Sequence, residues 1–247
     1  MNAREPRAGP RRMPLRYAGW MARDVAAGPG LPMLAVAALA LLLMNSVTIT
    51  TDIAGGQATV LLYELDLATK VLILLATAGM VSADFAGGYH RTLFAHPVSP
   101  PLYYLERWIV GGVAVLVCAA PMALAVAIRL DGSIAAAGGL LVRASLMYFL
   151  LGGLVFLLST FLRRDWLVAV LLLLLQATLG FAETTGFASH PLTETVYALL
   201  PPFHLVGVQR PLPTGGALLY VALYGVALAA AALAVLRWRP LSTGARG

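Results

Sequence analysis

Uncharged apolar stretches of about 20 residues recur along this chain, and they restrict its folding more than any other feature. At 1.5 Å per residue such a stretch spans the roughly 30 Å hydrocarbon core of a bilayer. Backbone polar groups in lipid must be bonded internally, so segments of this length predict helices, being too long for barrel strands. Charged residues make up only 11% of the 247-residue chain and hydrophobic ones 60%, which excludes an ordinary soluble enzyme.

Six segments qualify as spans: Leu31 to Thr51, Leu65 to Ala83, Trp108 to Ile128, Ser145 to Phe161, Trp166 to Ala182 and Ala217 to Leu236. The predicted fold is an all-α polytopic membrane protein with a six-helix domain over residues 31–239. Residues 1–30 precede it as a basic tail and interfacial helix, and residues 240–247 follow as a tail. The second span contains Asp66 and Lys70. Starting near Leu65, it would leave Lys70 close enough to one surface to snorkel, as an i, i+4 pair fixing the helix end. Arg143 and Glu183 are expected at helix rims in the same way, and no acid is expected at mid-depth.

Positive charge alternates between the two sides. Arg4, Arg7, Arg11, Arg12, Arg16, Arg23, Arg91, Arg107, Arg163, Arg164, Arg237, Arg239 and Arg246 fall on one side, against Arg129, Arg143 and Arg210 on the other. The positive-inside rule then puts both termini in the cytoplasm. The net charge of +6 is thus a matter of orientation, and no nucleic-acid partner is implied. The apolar run after the basic tail lacks a small-x-small cleavage site and reads as an uncleaved first span. Just before it, Met13, Tyr17, Trp20 and Met21 share one helical face, with Arg12, Arg16 and Arg23 on another. This pattern predicts an interfacial helix ended by Gly28-Pro29-Gly30.

Catalytic signatures are missing from the sequence. The single lysine, Lys70, precedes Val71, which excludes a G-x-x-x-x-G-K-[ST] phosphate loop. The four histidines, His90, His96, His190 and His204, have no zinc spacing, and Cys118 is alone, so neither a metal site nor an internal disulfide is expected. No nucleophile elbow is present. Twin glycines, among them Gly111-Gly112 and Gly152-Gly153, read as turns and close helix packing. The chain is therefore not expected to be an enzyme or to hold a cofactor.

The most informative segment joins the second and third spans, from Gly79 to Arg107. Phe85, Tyr89 and Leu93 would share one face of a short helix stopped by Pro97. Ser99-Pro100 then reads as the start of the next helix. Gly79, Val81, Ser82, Asp84, Gly88, Tyr89, Leu93, Pro97, Val98 and Ser99 fit the pattern G-x-[IV]-S-x-[DE]-x-x-x-G-[TY]-x-x-x-L-x-x-x-P-[VI]-S. On these residues the chain resembles the membrane subunits of type-2 ABC exporters. Leu199 to Gly207 is similar to the proline-containing segment before that family's last span, where short helices re-enter the membrane on the outer side. The resemblance covers the architecture of nearly the whole chain but is dense only in the loop. Phe85-Ala86 and Pro100 depart from the family's charged positions.

What the resemblance implies is a permease subunit of an ATP-driven exporter in the bacterial cytoplasmic membrane, a location in keeping with 16 arginines against one lysine. Its partners would be a separate ABC ATPase subunit, which would hold the ATP and Mg, and a second permease copy. Membrane lipids would surround it. Asp84, Phe85, Tyr89, Arg91, Phe94 and Pro97 would couple to the ATPase, with Arg12, Arg16, Trp20 and Arg23 as interfacial supports. The rival expectation is a membrane scaffold whose loop recruits a soluble protein without transport.

Overall fold

The computed structural model describes residues 17–46, 54–88, 99–130, 133–162, 164–184, 201–207 and 211–238. Every regular element among them is helical. Helix α1 (Ala18–Val25) runs through a π turn (Ala26–Gly30) into α2 (Leu31–Ser46). Then follow α3 (Ala54–Thr77), α4 (Ser82–Ala86), α5 (Pro100–Leu130) and α6 (Ile134–Met147). A second π turn (Tyr148–Gly152) joins α6 to α7 (Gly153–Ser159). The chain continues with α8 (Asp165–Thr184), a short 3-10 turn (Phe203–Leu205) and α9 (Gly215–Trp238). Four uninterrupted helical stretches are long and apolar enough to cross a bilayer: Ala18–Ser46, Pro100–Leu130, Ile134–Ser159 and Gly215–Trp238. The protein is a membrane-inserted helical bundle.

Helix α5 is the central post, packed against α1, α2, α3, α6 and α9. One end of the bundle gathers the end of α2, the start of α3, the end of α5 and the start of α6, and is called the far end below. There Arg129 donates to the Met44 carbonyl and, at 2.6 Å, to Asn45 Oδ1, closing the last turn of α2. The opposite, loop end carries α4 and the starts of α1, α5 and α8. Without a strong hydrophobic drive between helices in lipid, close approach of small residues holds such bundles together. A Cβ at Gly225 on α9 would stand 2.8 Å from the Phe149 backbone, and one at Gly112 would stand 2.8 Å from the Tyr148 ring. Tyr148 fills the space left by Gly111 and Gly112, and its hydroxyl donates to the Trp108 carbonyl. The twin glycines at 111–112 and 152–153 are thus packing sites, as expected.

Several boundaries differ from expectation, each for a physical reason. Gly28-Pro29-Gly30 does not end the interfacial helix. The wide π turn moves the Val25 carbonyl away from the Pro29 ring, and the absence of a side chain on Gly30 lets it lie against that carbonyl, so the helix continues. The second helix begins at Ala54 rather than near Leu65 and stops at Thr77 rather than Ala83. The fourth stretch begins at Ile134, where Ser133 caps it by accepting from Ala136 N, rather than at Ser145. Among the described residues the short loop helix is Ser82–Ala86, followed by Gly87 and by Gly88 at φ of 71°, while Tyr89 and Leu93, expected on one face with Phe85, lie outside the described residues. Pro100 opens α5 as expected, with the Ser99 carbonyl accepting from Tyr103 N at 3.0 Å.

Candidate functional site

Among the described residues two buried polar assemblies interrupt the apolar bundle, one at its loop end and one deeper inside it. The loop-end assembly is built on the turn from α3 to α4. Gly79 sits there at φ of 73°, a left-handed geometry that turns its N–H inward. That N–H donates to Asp165 Oδ2 at 2.7 Å, and the Ser82 hydroxyl donates to Asp165 Oδ1 at 3.1 Å. Asp165, only 1% exposed, opens α8 and also accepts from Trp166 N at 3.0 Å. A carboxylate at the first turn of a helix is further favoured by the helix dipole. Two residues on from Ser82, Asp84 meets α5. Its Oδ2 lies 2.8 Å from Arg107, which also donates to the Met80 carbonyl at 2.9 Å. The buried Tyr104 hydroxyl reaches the same Oδ2 at 3.3 Å.

The turn from α3 is therefore pinned to α8 through Asp165 and to α5 through Arg107. Of the residues expected to couple to a partner, Asp84 and Phe85 belong to this assembly. Asp84 directs its carboxylate inward, and Phe85 packs half-buried against the core. Tyr89, Arg91, Phe94 and Pro97 lie outside the described residues, as do Arg12 and Arg16. Trp20 is half exposed, with its ring 6.5 Å from that of Tyr103, and Arg23 is exposed on the same short helix. Met21 beside them is buried in the core, so α1 has one inward and one outward face.

Sequence reasoning missed Asp165, although Gly79 and Ser82 were already part of the loop pattern. A lone acid after Arg163-Arg164 at the start of an apolar helix was the available signal. It missed Glu106 as well, which is 5% exposed on α5 with neither carboxylate oxygen hydrogen-bonded. The neighbouring Trp108 Nε1 also has no partner.

The second assembly lies deeper. Because α3 begins at Ala54, Asp66 stands 12 residues into it, roughly 18 Å along the axis. Asp66 and Lys70 pair as expected, but inside the bundle, each with a side chain only 13% exposed. The pair is therefore no cap on a helix end. Arg143 is also away from its expected rim, nine residues into α6, or about 13 Å. Asp66 and Arg143 line one cleft of about 20 Å³ between α3, α5 and α6, walled by Leu62, Ala119, Leu140 and Met147. That space is roughly large enough for one water molecule.

From the cleft, Arg143 donates to the Val206 carbonyl at 3.3 Å and to the Gly207 carbonyl. Residues 201–207 form a short piece with a single 3-10 turn, with Phe203 and Val206 buried. Irregular backbone at depth in a bundle is tolerated where protein groups satisfy it, and Arg143 does so here. Among the described residues no cluster of His, Cys, Asp and Glu could hold a metal ion. No family model, curated protein or solved structure matches the chain.

Proposed function

We propose that this chain is the permease subunit of an ATP-driven exporter, with six spans, both termini cytoplasmic, a second copy beside it and a separate ABC ATPase beneath its loop end. The observation that carries this reading is the anchorage of the α3 to α5 connection. Asp165 binds the turn to α8, and the Asp84–Arg107 pair binds it to α5. A force applied to the loop after α4 would reach three long helices through these bonds instead of being lost in a slack segment. The short piece at 201–207, with its 3-10 turn and bonded to Arg143, also suits the re-entrant segment that the resemblance implies. In this scheme ATP binding by the partner draws the loops together and shifts the bundle between open states. The bacterial cytoplasmic membrane is the corresponding location.

Co-purification provides the test. The full chain, tagged and extracted from its native membrane, is expected to bring down an ABC ATPase, and the Tyr89→Ala/Phe94→Ala double variant is expected to lose it while keeping its thermal unfolding midpoint. A complex that survives in the double variant removes the proposed contact. A chain that brings down a soluble protein with no ATPase activity favours the scaffold.

A further inference from the structure

The basic side chains of the described residues fall into two groups. Lys70, Arg107, Arg129 and Arg143 are bonded inside the bundle or at its far end. Arg23, Arg164 and Arg237 are exposed, and among the described residues none of them makes a hydrogen bond or an ion pair. Each of these three lies within three residues of an exposed tryptophan: Trp20 on α1, Trp166 on α8 and Trp238 on α9. The remaining tryptophan, Trp108, is buried. All three pairs sit at the loop end. Helices α1 and α8 start there, and α9 finishes there because it runs alongside α6 and α7, with Gly139 against Leu212 towards the far end and Gly153 against Gly225 and Leu228 further along. Asp24 is the one exposed acid among the described residues of this end, and it pairs with none of the three arginines.

An arginine beside an exposed tryptophan suits the boundary of a bilayer. Indole settles at the level of the headgroups, with its ring towards the acyl chains and its N–H towards the polar region. A guanidinium held there can reach a phosphate with two parallel hydrogen bonds. The further turns of the same helical stretches expose aliphatic side chains, Leu31 and Leu34 beyond α1, Leu167 and Leu171 on α8, Leu223 and Val226 on α9, which acyl chains would meet. We propose that the Trp20–Arg23, Trp166–Arg164 and Trp238–Arg237 pairs form a binding surface for the headgroups of anionic phospholipids in the loop-end leaflet. Charge complementarity selects the lipid. Three unpaired cations with one acid nearby favour a headgroup of net negative charge over a zwitterionic one, whose own ammonium offsets its phosphate. Arg164 and Trp166 flank Asp165, so a lipid held there steadies the first turn of α8 at the joint to Gly79 and Ser82. The surface belongs to this chain alone and does not depend on the exporter reading.

Lipid retention reads the surface directly. The full chain in detergent is titrated with dioleoyl phosphatidylglycerol or dioleoyl phosphatidylcholine, and the lipids it retains are counted by native mass spectrometry. At low salt each pair is expected to prefer phosphatidylglycerol about fivefold, the effect of one arginine near an anionic surface, and to lose that preference as salt is raised. The parent then retains three phosphatidylglycerol molecules in preference, each single Arg→Gln variant two, and Arg23→Gln/Arg164→Gln/Arg237→Gln holds the two lipids alike. Trp20→Leu/Trp166→Leu/Trp238→Leu is expected to weaken both lipids while keeping their ratio, which loss of positive charge alone would not do. Glycerol 3-phosphate at the same concentration is expected to leave the bound lipid in place. A parent that binds the two lipids equally, or a triple arginine variant that keeps the preference, overturns the surface. Displacement by glycerol 3-phosphate overturns its assignment to lipid. Should the triple arginine variant fail to fold, an unchanged preference in all three single variants overturns the surface equally.

Discussion

The loop end and the mid-bundle cleft both bury carboxylates in an apolar bundle, yet they secure them in opposite ways. At the loop end Asp165 receives two N–H groups and a hydroxyl from fixed backbone and side-chain positions. In the cleft Asp66 has one partner on its own helix and a second cation across a gap that admits water. Several short bonds to separate elements make a joint, whereas one bond within a single helix ties that helix to none of its neighbours. A buried ion is costly in either setting, so both arrangements must compensate it. The difference lies in whether the compensation is shared among elements or kept within one helix.

The contrast can be broken most forcefully at Asp165. Asp165→Ala strands the Gly79 N–H and the Ser82 hydroxyl in a buried site, each an unmade bond. A loss of roughly 3 kcal/mol is expected in denaturant unfolding of the purified chain, with α8 separating from α3. Asp165→Asn, which keeps acceptors for part of the set, is expected to lose less than half of that. If the alanine variant unfolds with the parent, the joint is not one.

A smaller effect is expected where the loop end holds a charge pair. Arg107→Met leaves Asp84 with only the Tyr104 hydroxyl and is expected to cost about 2 kcal/mol. Asp84→Asn/Arg107→Met removes both charges and is expected to recover most of that, as measured by a double-mutant cycle. Equal losses in the single and the double variant would mean that the bond to the Met80 carbonyl, not the ion pair, carries the contact.

Which of these groups could be read from the sequence follows from the range of the signal. Local signals locate three helix starts to within a residue or two: the Ser99-Pro100 cap for the helix that begins at Pro100, and the apolar runs expected from 166 and 217 for those that begin at Asp165 and Gly215. They fail at Ala54 because Gly55-Gly56 and Gln57 have the composition of a loop, and they fail at Gly28-Pro29-Gly30 because a π turn leaves no compositional mark. The placement of the charges then inherits these errors: a helix that starts 11 residues early moves Asp66 and Lys70 from a surface to the interior. Asp84 was legible as a loop residue, but its partner Arg107 and the link from Gly79 to Asp165 span 23 and 86 residues. No local pattern carries such pairings.

Glu106 offers the finest test of the contrast, because it fits neither arrangement. It lies beside Arg107 in sequence, is nearly as buried as Asp165, and has no partner for either oxygen. Consecutive residues on a helix point about 100° apart, so the guanidinium that serves Asp84 is turned away from its neighbour. An acid with no joint and no partner on its own helix should only burden the fold. Glu106→Leu, which keeps an apolar body in the same space, is therefore expected to stabilise the chain by roughly 1 kcal/mol, seen as a small rise in the unfolding midpoint. Glu106→Gln should change it less, since the amide still leaves polar atoms without partners. A fall in stability for Glu106→Leu would show that this carboxylate, too, is held in place, and the rule drawn from Asp165 and Asp66 would need a third kind of buried acid.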